Sequence, residues 1–220
     1  MGTFLLNAVG GYIMALLLIG FCTTKASAKP FEQLMISIGV YGRISVALIL
    51  LTFGVYAYKP AWLEGSLLQP LFWCAYLLHM FSFWVHEGGH FLLSWAPTAV
   101  HIVGGTLFEV GIPISLATWY SHRRLPVCAA LASFWAGFTL PSVGRYVADA
   151  RAMQLSGLTN DGIHDWNWLL GHAGLLEYDQ TFGTVLFVVA APVMLLALIQ
   201  LTFPGQTRCA EGGHVSQEEM

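Results

Sequence analysis

The sequence predicts an all-α, polytopic integral membrane protein, with about six transmembrane helices and one short interfacial helix. Two observations carry that expectation. Of the 220 residues, 56% are hydrophobic and only 10% are charged, where a soluble domain carries about 25% charged residues. Apolar runs also recur along the chain at about the 20-residue length that a bilayer requires of a helix. The net charge of −3 gives no basic surface for nucleic acid. The expected partners are the lipid bilayer and a membrane-protein or peptide substrate. Cys22, Cys74, Cys128 and Cys209 show no CxxC or other metal-type spacing, so they define neither a disulfide framework nor a redox compartment.

The spans are read at roughly 3–23, 34–57, 67–95, 98–120, 126–149 and 182–203. Together they make a single transmembrane domain over 1–203, followed by a polar tail over 204–220. The first run precedes a small-residue "ASA" at 26–28, as a signal peptide does. No Lys or Arg stands before it and it exceeds a usual signal-peptide apolar region, so a retained helix is expected. The third run is longer than a bilayer needs and is expected to tilt or to project. Pro97 closes it, and the short connection makes the third and fourth helices a tight hairpin. A polar loop over 150–181 separates the last two spans. Within it Trp166, Leu169, Leu170, Ala173 and Leu176 recur at helical spacing, so an interfacial helix is expected from Asp165, with Asp165 as its N-cap. Arg123 and Arg124 favour a cytoplasmic loop and internal termini, whereas Lys25 and Lys29 favour the reverse.

Inside the third run lies "FWVHEGGHFLLSW", residues 83–95, with an HExxH motif at His86, Glu87 and His90. On a helix, residues i and i+4 share a face, so both imidazoles can reach one ion. Zn2+ suits such a site, binding His nitrogen at about 2.0–2.1 Å. Glu87, rotated about 100° from His86, would lie beside the metal as general base towards a metal-bound water. Ionisable groups within a membrane segment are costly and mark function. The bland alternative is a pair of neutral, hydrogen-bonded histidines with Glu87 paired to a cation, and with Gly88 and Gly89 as helix-packing residues.

A third ligand is needed, and helix parity narrows the choice. The third and fifth helices run in the same direction, so the ends carrying His90 and Asp149 reach one membrane face. The loop with His164 and Asp165 follows there, and the fourth helix, with His101 and Glu109, starts there. His164 and Asp149 are the third-ligand candidates. Asp165 is a helix cap or a carboxylate that orients a ligand imidazole. Asp149 could equally pair with Arg145. Glu109 is expected either to be protonated by burial or to pair with Arg145. His79, seven residues before His86, lies about 10 Å deeper and is read as a buried, hydrogen-bonded residue.

An HExxH motif in a transmembrane helix, followed two helices later by an aspartate, resembles the site-2-protease class of intramembrane metalloproteases. The resemblance implies zinc held by His86, His90 and Asp149, with Glu87 as base. The segment "LPSVGRYVADAR" stands where that class has an LDG motif, which leans the third ligand towards His164. "HEGGH", "YVADAR" and "HDWNWLL" together also resemble an uncharacterised group of bacterial membrane proteins, over roughly residues 80–180. That likeness implies a bacterial inner membrane and groups the three motifs into one site. The leading expectation is intramembrane or membrane-proximal zinc-dependent peptide hydrolysis. The alternatives are a zinc hydrolase of a lipid amide or ester, and a non-catalytic protein whose histidines bind haem or iron or only pack.

Overall fold

The computed structural model describes residues 25–155 and 164–204. The expected first span, Cys22, the middle of the 150–181 loop and nearly all of the polar tail lie outside the described residues. Among the described residues there is no strand. Seven α-helices follow in order: α1 Lys25–Ser37, α2 Gly39–Tyr58, α3 Gln69–Leu92, α4 Thr98–His122, α5 Pro126–Ala148, α6 Asp165–His172 and α7 Asp179–Thr202. Single 3-10 turns at Pro60–Trp62 and Leu176–Tyr178 lead out of α2 and into α7.

Among the described residues, four helical segments are long and apolar enough to cross a membrane: Gly39–Tyr58, Thr98–His122, Pro126–Ala148 and Leu176–Thr202. Of the six expected spans, the first lies outside the described residues, and four of the other five are matched. The helix α3 has the length, but His79, His86, Glu87 and His90 lower its apolarity, and it is not among the four. The chain before α2 also differs from expectation. A separate helix, α1, occupies it and turns into α2 at Gly39, whose φ of 70° is open to glycine at little cost. Glu32 of α1 is buried and accepts the N–H groups of Val127 (3.0 Å) and Cys128 (3.0 Å) at the start of α5. A carboxylate there satisfies two orphan donors and complements the helix dipole.

The centre of the bundle is α5. In its most apolar stretch 72% of residues are buried, against 22–33% in the other three spans. It packs closely on α7 because Gly144 and Gly183 face each other: a Cβ on Gly144 would stand 2.8 Å from the Gly183 oxygen. The helix α2 runs antiparallel to α7. Arg43 near its start donates to the Thr202 carbonyl (3.2 Å), and Tyr58 at its end donates to the Phe187 carbonyl (2.7 Å).

The helices α3 and α5 run in the same direction. The Trp135 indole donates to Ser82 (2.8 Å), and further along both helices the rings of His86 and Tyr146 meet at 6.3 Å. The C-terminal ends of both helices, the start of α4 and the start of α6 thus gather at one end of the bundle. Helix parity in the sequence places them there, and this convergence builds the site.

Candidate metal centre

The site starts from two imidazoles one turn apart on α3. His86 is 6% exposed and His90 is partly buried. Their Nε2 atoms lie 3.1 Å apart. Each ring is held from behind by α4. His86 Nδ1 donates to Glu109 Oε2 (3.1 Å), and His90 Nδ1 donates to the carbonyl of His101 (2.9 Å). His101 returns the bond, its Nδ1 donating to the carbonyl of His90 (3.0 Å). With both Nδ1 protons committed, the neutral rings carry their lone pairs on Nε2, the arrangement that outer partners impose on metal-binding histidines.

The third atom comes from α6. Asp165 Oδ2 is 3.2 Å from His86 Nε2 and 3.1 Å from His90 Nε2. The carboxylate is 8% exposed. Three acceptor atoms therefore converge as a near-equilateral triangle. A proton can bridge two of them, whereas a cation serves all three. A tetrahedral ion about 2.0–2.1 Å from its ligands needs them about 3.3–3.4 Å apart, close to the edges of this triangle. Gly105 supplies the room. A Cβ there would collide with His90 Nε2 and stand 2.5 Å from His86 Nε2. His86, His90 and Asp165 are thus a group able to hold a metal ion.

Burial works against the charge on Asp165, but the protonated imidazoles of His86 and His90 beside it outweigh burial and hold its carboxyl down to about 2. The acid therefore stays ionised, the form in which a carboxylate can serve a cation.

The close approach of α3 and α4 has a local cause. A Cβ on Gly89 would run into the carbonyl oxygen of Gly104, and one on Gly104 would lie 3.0 Å from the Gly89 oxygen. In this pair of helices Gly89 and Gly104 admit the neighbouring backbone, while Gly105 opens space before the imidazoles. Gly88 is buried as well.

The loop side is anchored separately. His164, not Asp165, is the N-cap of α6: its Nδ1 accepts the Asn167 N–H (3.2 Å). The expectation of Asp165 as cap is corrected accordingly. Asn167 donates its side-chain amide to the Ala150 carbonyl (2.8 Å), and the Tyr146 hydroxyl accepts the Asp165 N–H (3.3 Å) while its ring stacks on His164 at 4.2 Å. These bonds tie the start of α6 to the end of α5 and aim Asp165 inward.

His164 and Asp149 lie together and are not members of that group. His164 Nε2 is 3.4 Å from Asp149 Oδ2, too poorly aligned for a hydrogen bond. The lone pair of its Nδ1 is already engaged by the cap bond to the Asn167 N–H. Asp149 in turn accepts the loop N–H groups of Gln154 (3.1 Å) and Leu155 (2.8 Å). The carboxylate that meets both imidazoles is Asp165, the neighbour of one expected ligand.

Arg145 pairs with neither Asp149 nor Glu109. It donates to the Ala57 carbonyl (2.7 Å) at the C-terminal end of α2, where a cation complements the dipole. Glu109 instead serves His86. His79 packs its ring near Tyr56 at 6.3 Å. His172 is exposed and stacks on Trp168 at 3.9 Å. Glu87 follows His86 on α3 and is partly buried.

Comparison with protein-family models, curated proteins and solved structures gives no match.

Proposed function

We propose that this protein is a membrane metallohydrolase with peptide bonds as its substrate class, and that His86, His90 and Asp165 hold one zinc ion. The observation that carries the reading is the triangle of Nε2, Nε2 and Oδ2 atoms, spaced 3.1–3.2 Å apart before the Cβ-free face of Gly105. A zinc ion bound there supplies Lewis acidity towards a carbonyl and lowers the pKa of water towards about 7. The chain does the rest. Glu109 and the His101 carbonyl hold the two rings in the tautomer that leaves Nε2 free. The clasp of Tyr146, His164 and Asn167 orients Asp165. Glu87, next in sequence to a ligand, takes the proton of the attacking water and returns it to the leaving amine. Three protein ligands would match the donor count of catalytic zinc sites, where structural sites use four.

Two measurements test the reading. Metal analysis of the purified chain is expected to give one zinc per molecule, lost in His86→Ala, His90→Ala and Asp165→Asn but kept in His164→Ala and Asp149→Ala. Haem absorbance, iron, or no metal at all contradicts it. Glu87→Gln is expected to keep the metal and lose at least about 100-fold in turnover of a peptide substrate. Full activity in that variant removes Glu87 as the base. Turnover of lipid amides or esters, with peptides untouched, replaces the substrate class.

A further inference from the structure

A second feature lies apart from the metal centre, between α2 and α7. An apolar cavity of about 260 Å³ runs between these helices, with Phe134 of α5 among its lining residues. Leu51, Gly54, Met194 and Leu195 form part of its walls. Gly54 has no side chain to fill the space, and the nearest atom a Cβ there would meet is the Met194 sulfur at 3.7 Å. The rim faces outward: Leu51 is 51% and Leu195 is 58% exposed. Both belong to segments apolar enough to cross a membrane, so the opening faces acyl chains rather than water.

The other end of the cavity is chemically different. Lys59 and Trp62 line it there. Lys59 is exposed and caps α2, where the helix dipole favours a cation. Trp62 is 70% exposed. A lysine and a tryptophan just past an apolar span are the residues of the headgroup region. Glu64 is exposed nearby but does not line the cavity. An apolar slot that ends beneath one cation matches an acyl chain beneath a phosphate.

We infer that this slot binds one acyl chain of an anionic phospholipid, with its headgroup against Lys59 and Trp62. The slot opens between two apolar spans, and in a bilayer the molecule at hand to fill it is a lipid. One basic residue near the surface favours anionic over zwitterionic lipid by roughly fivefold. The inference does not depend on the metal centre.

The test uses the full chain in phosphatidylcholine vesicles. A trace of phosphatidylglycerol or of phosphatidylcholine carries a photo-activatable group on its acyl chain, and adducts are mapped by mass spectrometry. Adducts are expected at Leu51, Met194 and Leu195, about fivefold more abundant from phosphatidylglycerol. Lys59→Gln, at an exposed position at the end of the slot, removes the charge and is expected to bring the two yields together. Equal yields in the native chain overturn the inference, as do adducts confined to other surfaces. So does a crosslink from a photo-reactive residue at position 195 to residues 3–23, which would assign the slot to this chain's own apolar segment.

Discussion

Glu109 does for His86 what the His101 carbonyl does for His90: each takes the Nδ1 proton and turns Nε2 towards the triangle. The two partners are unequal in what substitution can remove. A backbone carbonyl survives any side-chain change, whereas Glu109→Ala leaves the His86 ring without its acceptor. Loss of such a partner costs about 10–100-fold in metal affinity, and that is the expected result of zinc titration of Glu109→Ala. Glu109→Gln keeps an acceptor oxygen and is expected to recover most of the loss. Unchanged affinity in Glu109→Ala would show that the contact does not orient the ligand. At this scale the sequence was informative about the imidazoles and poor about their partners. The i, i+4 spacing of His86 and His90 is a local fact of helix geometry. The pairing of Glu109 with His86 spans 23 residues and two helices, and no spacing rule encodes it. Asp165 was visible, but as a helix cap or a carboxylate orienting a ligand imidazole rather than as a third atom of the triangle. Adjacent residues at the start of a helix point about 100° apart, so only one of His164 and Asp165 can face the imidazoles. Which one does depends on the path of the loop.

Among the helices, the pair α3 and α4 is held by glycine contact as much as by side chains. Gly89 has no space for a methyl group because the Gly104 carbonyl occupies it. Gly89→Ala is therefore expected to push the helices apart, destabilise the protein by about 1–3 kcal/mol and reduce zinc binding with it. Gly111, on the same α4, has nothing within 4 Å of its notional Cβ. Gly111→Ala is expected to be neutral, or to stabilise by up to about 1 kcal/mol through helix propensity. Thermal unfolding of both variants in detergent checks the contrast; equal effects would mean that the glycine contact is not what sets the helix spacing. The helices were the most legible part of the sequence, because apolar length is a direct consequence of bilayer thickness. Expected bounds of 98–120 and 126–149 compare with Thr98–His122 and Pro126–Ala148. The miss was α1, a 13-residue helix of low apolarity. The bonds from its Glu32 to Val127 and Cys128 cross 95 and 96 positions and leave no local trace.

For the molecule as a whole, the three atoms of the candidate metal centre join α3 to α6 across 79 positions of the chain. A ligand that binds only the folded state stabilises it in proportion to its saturation, by about 2.7 kcal/mol at 100 times the dissociation constant. Stripping zinc with a chelator is accordingly expected to lower the unfolding temperature of the native chain by several degrees. It should leave His90→Ala, which lacks the site, unmoved. An equal shift in both would mean that the chelator acts elsewhere. Global architecture was legible to the extent that parity governs it. Knowing that α3 and α5 run the same way is enough to bring His90, Asp149 and Asp165 to one end. The distances that separate a ligand from its neighbour are set by packing of Tyr146, Asn167 and Ala150, which no one-dimensional pattern contains.

The mutual bonds between His90 and His101 also bear on how the protein is made. Both residues belong to one hairpin, and its two glycines and two imidazole–carbonyl bonds lie within residues 86–109. That hairpin can close as soon as it leaves the ribosome. Asp165 is synthesised more than fifty residues later. The nascent chain therefore passes through a stage with two imidazoles in place and no carboxylate, too few ligands for a secure zinc site. On the proposed zinc reading, metal loading would then be a late event in biogenesis, gated by translation of the start of α6.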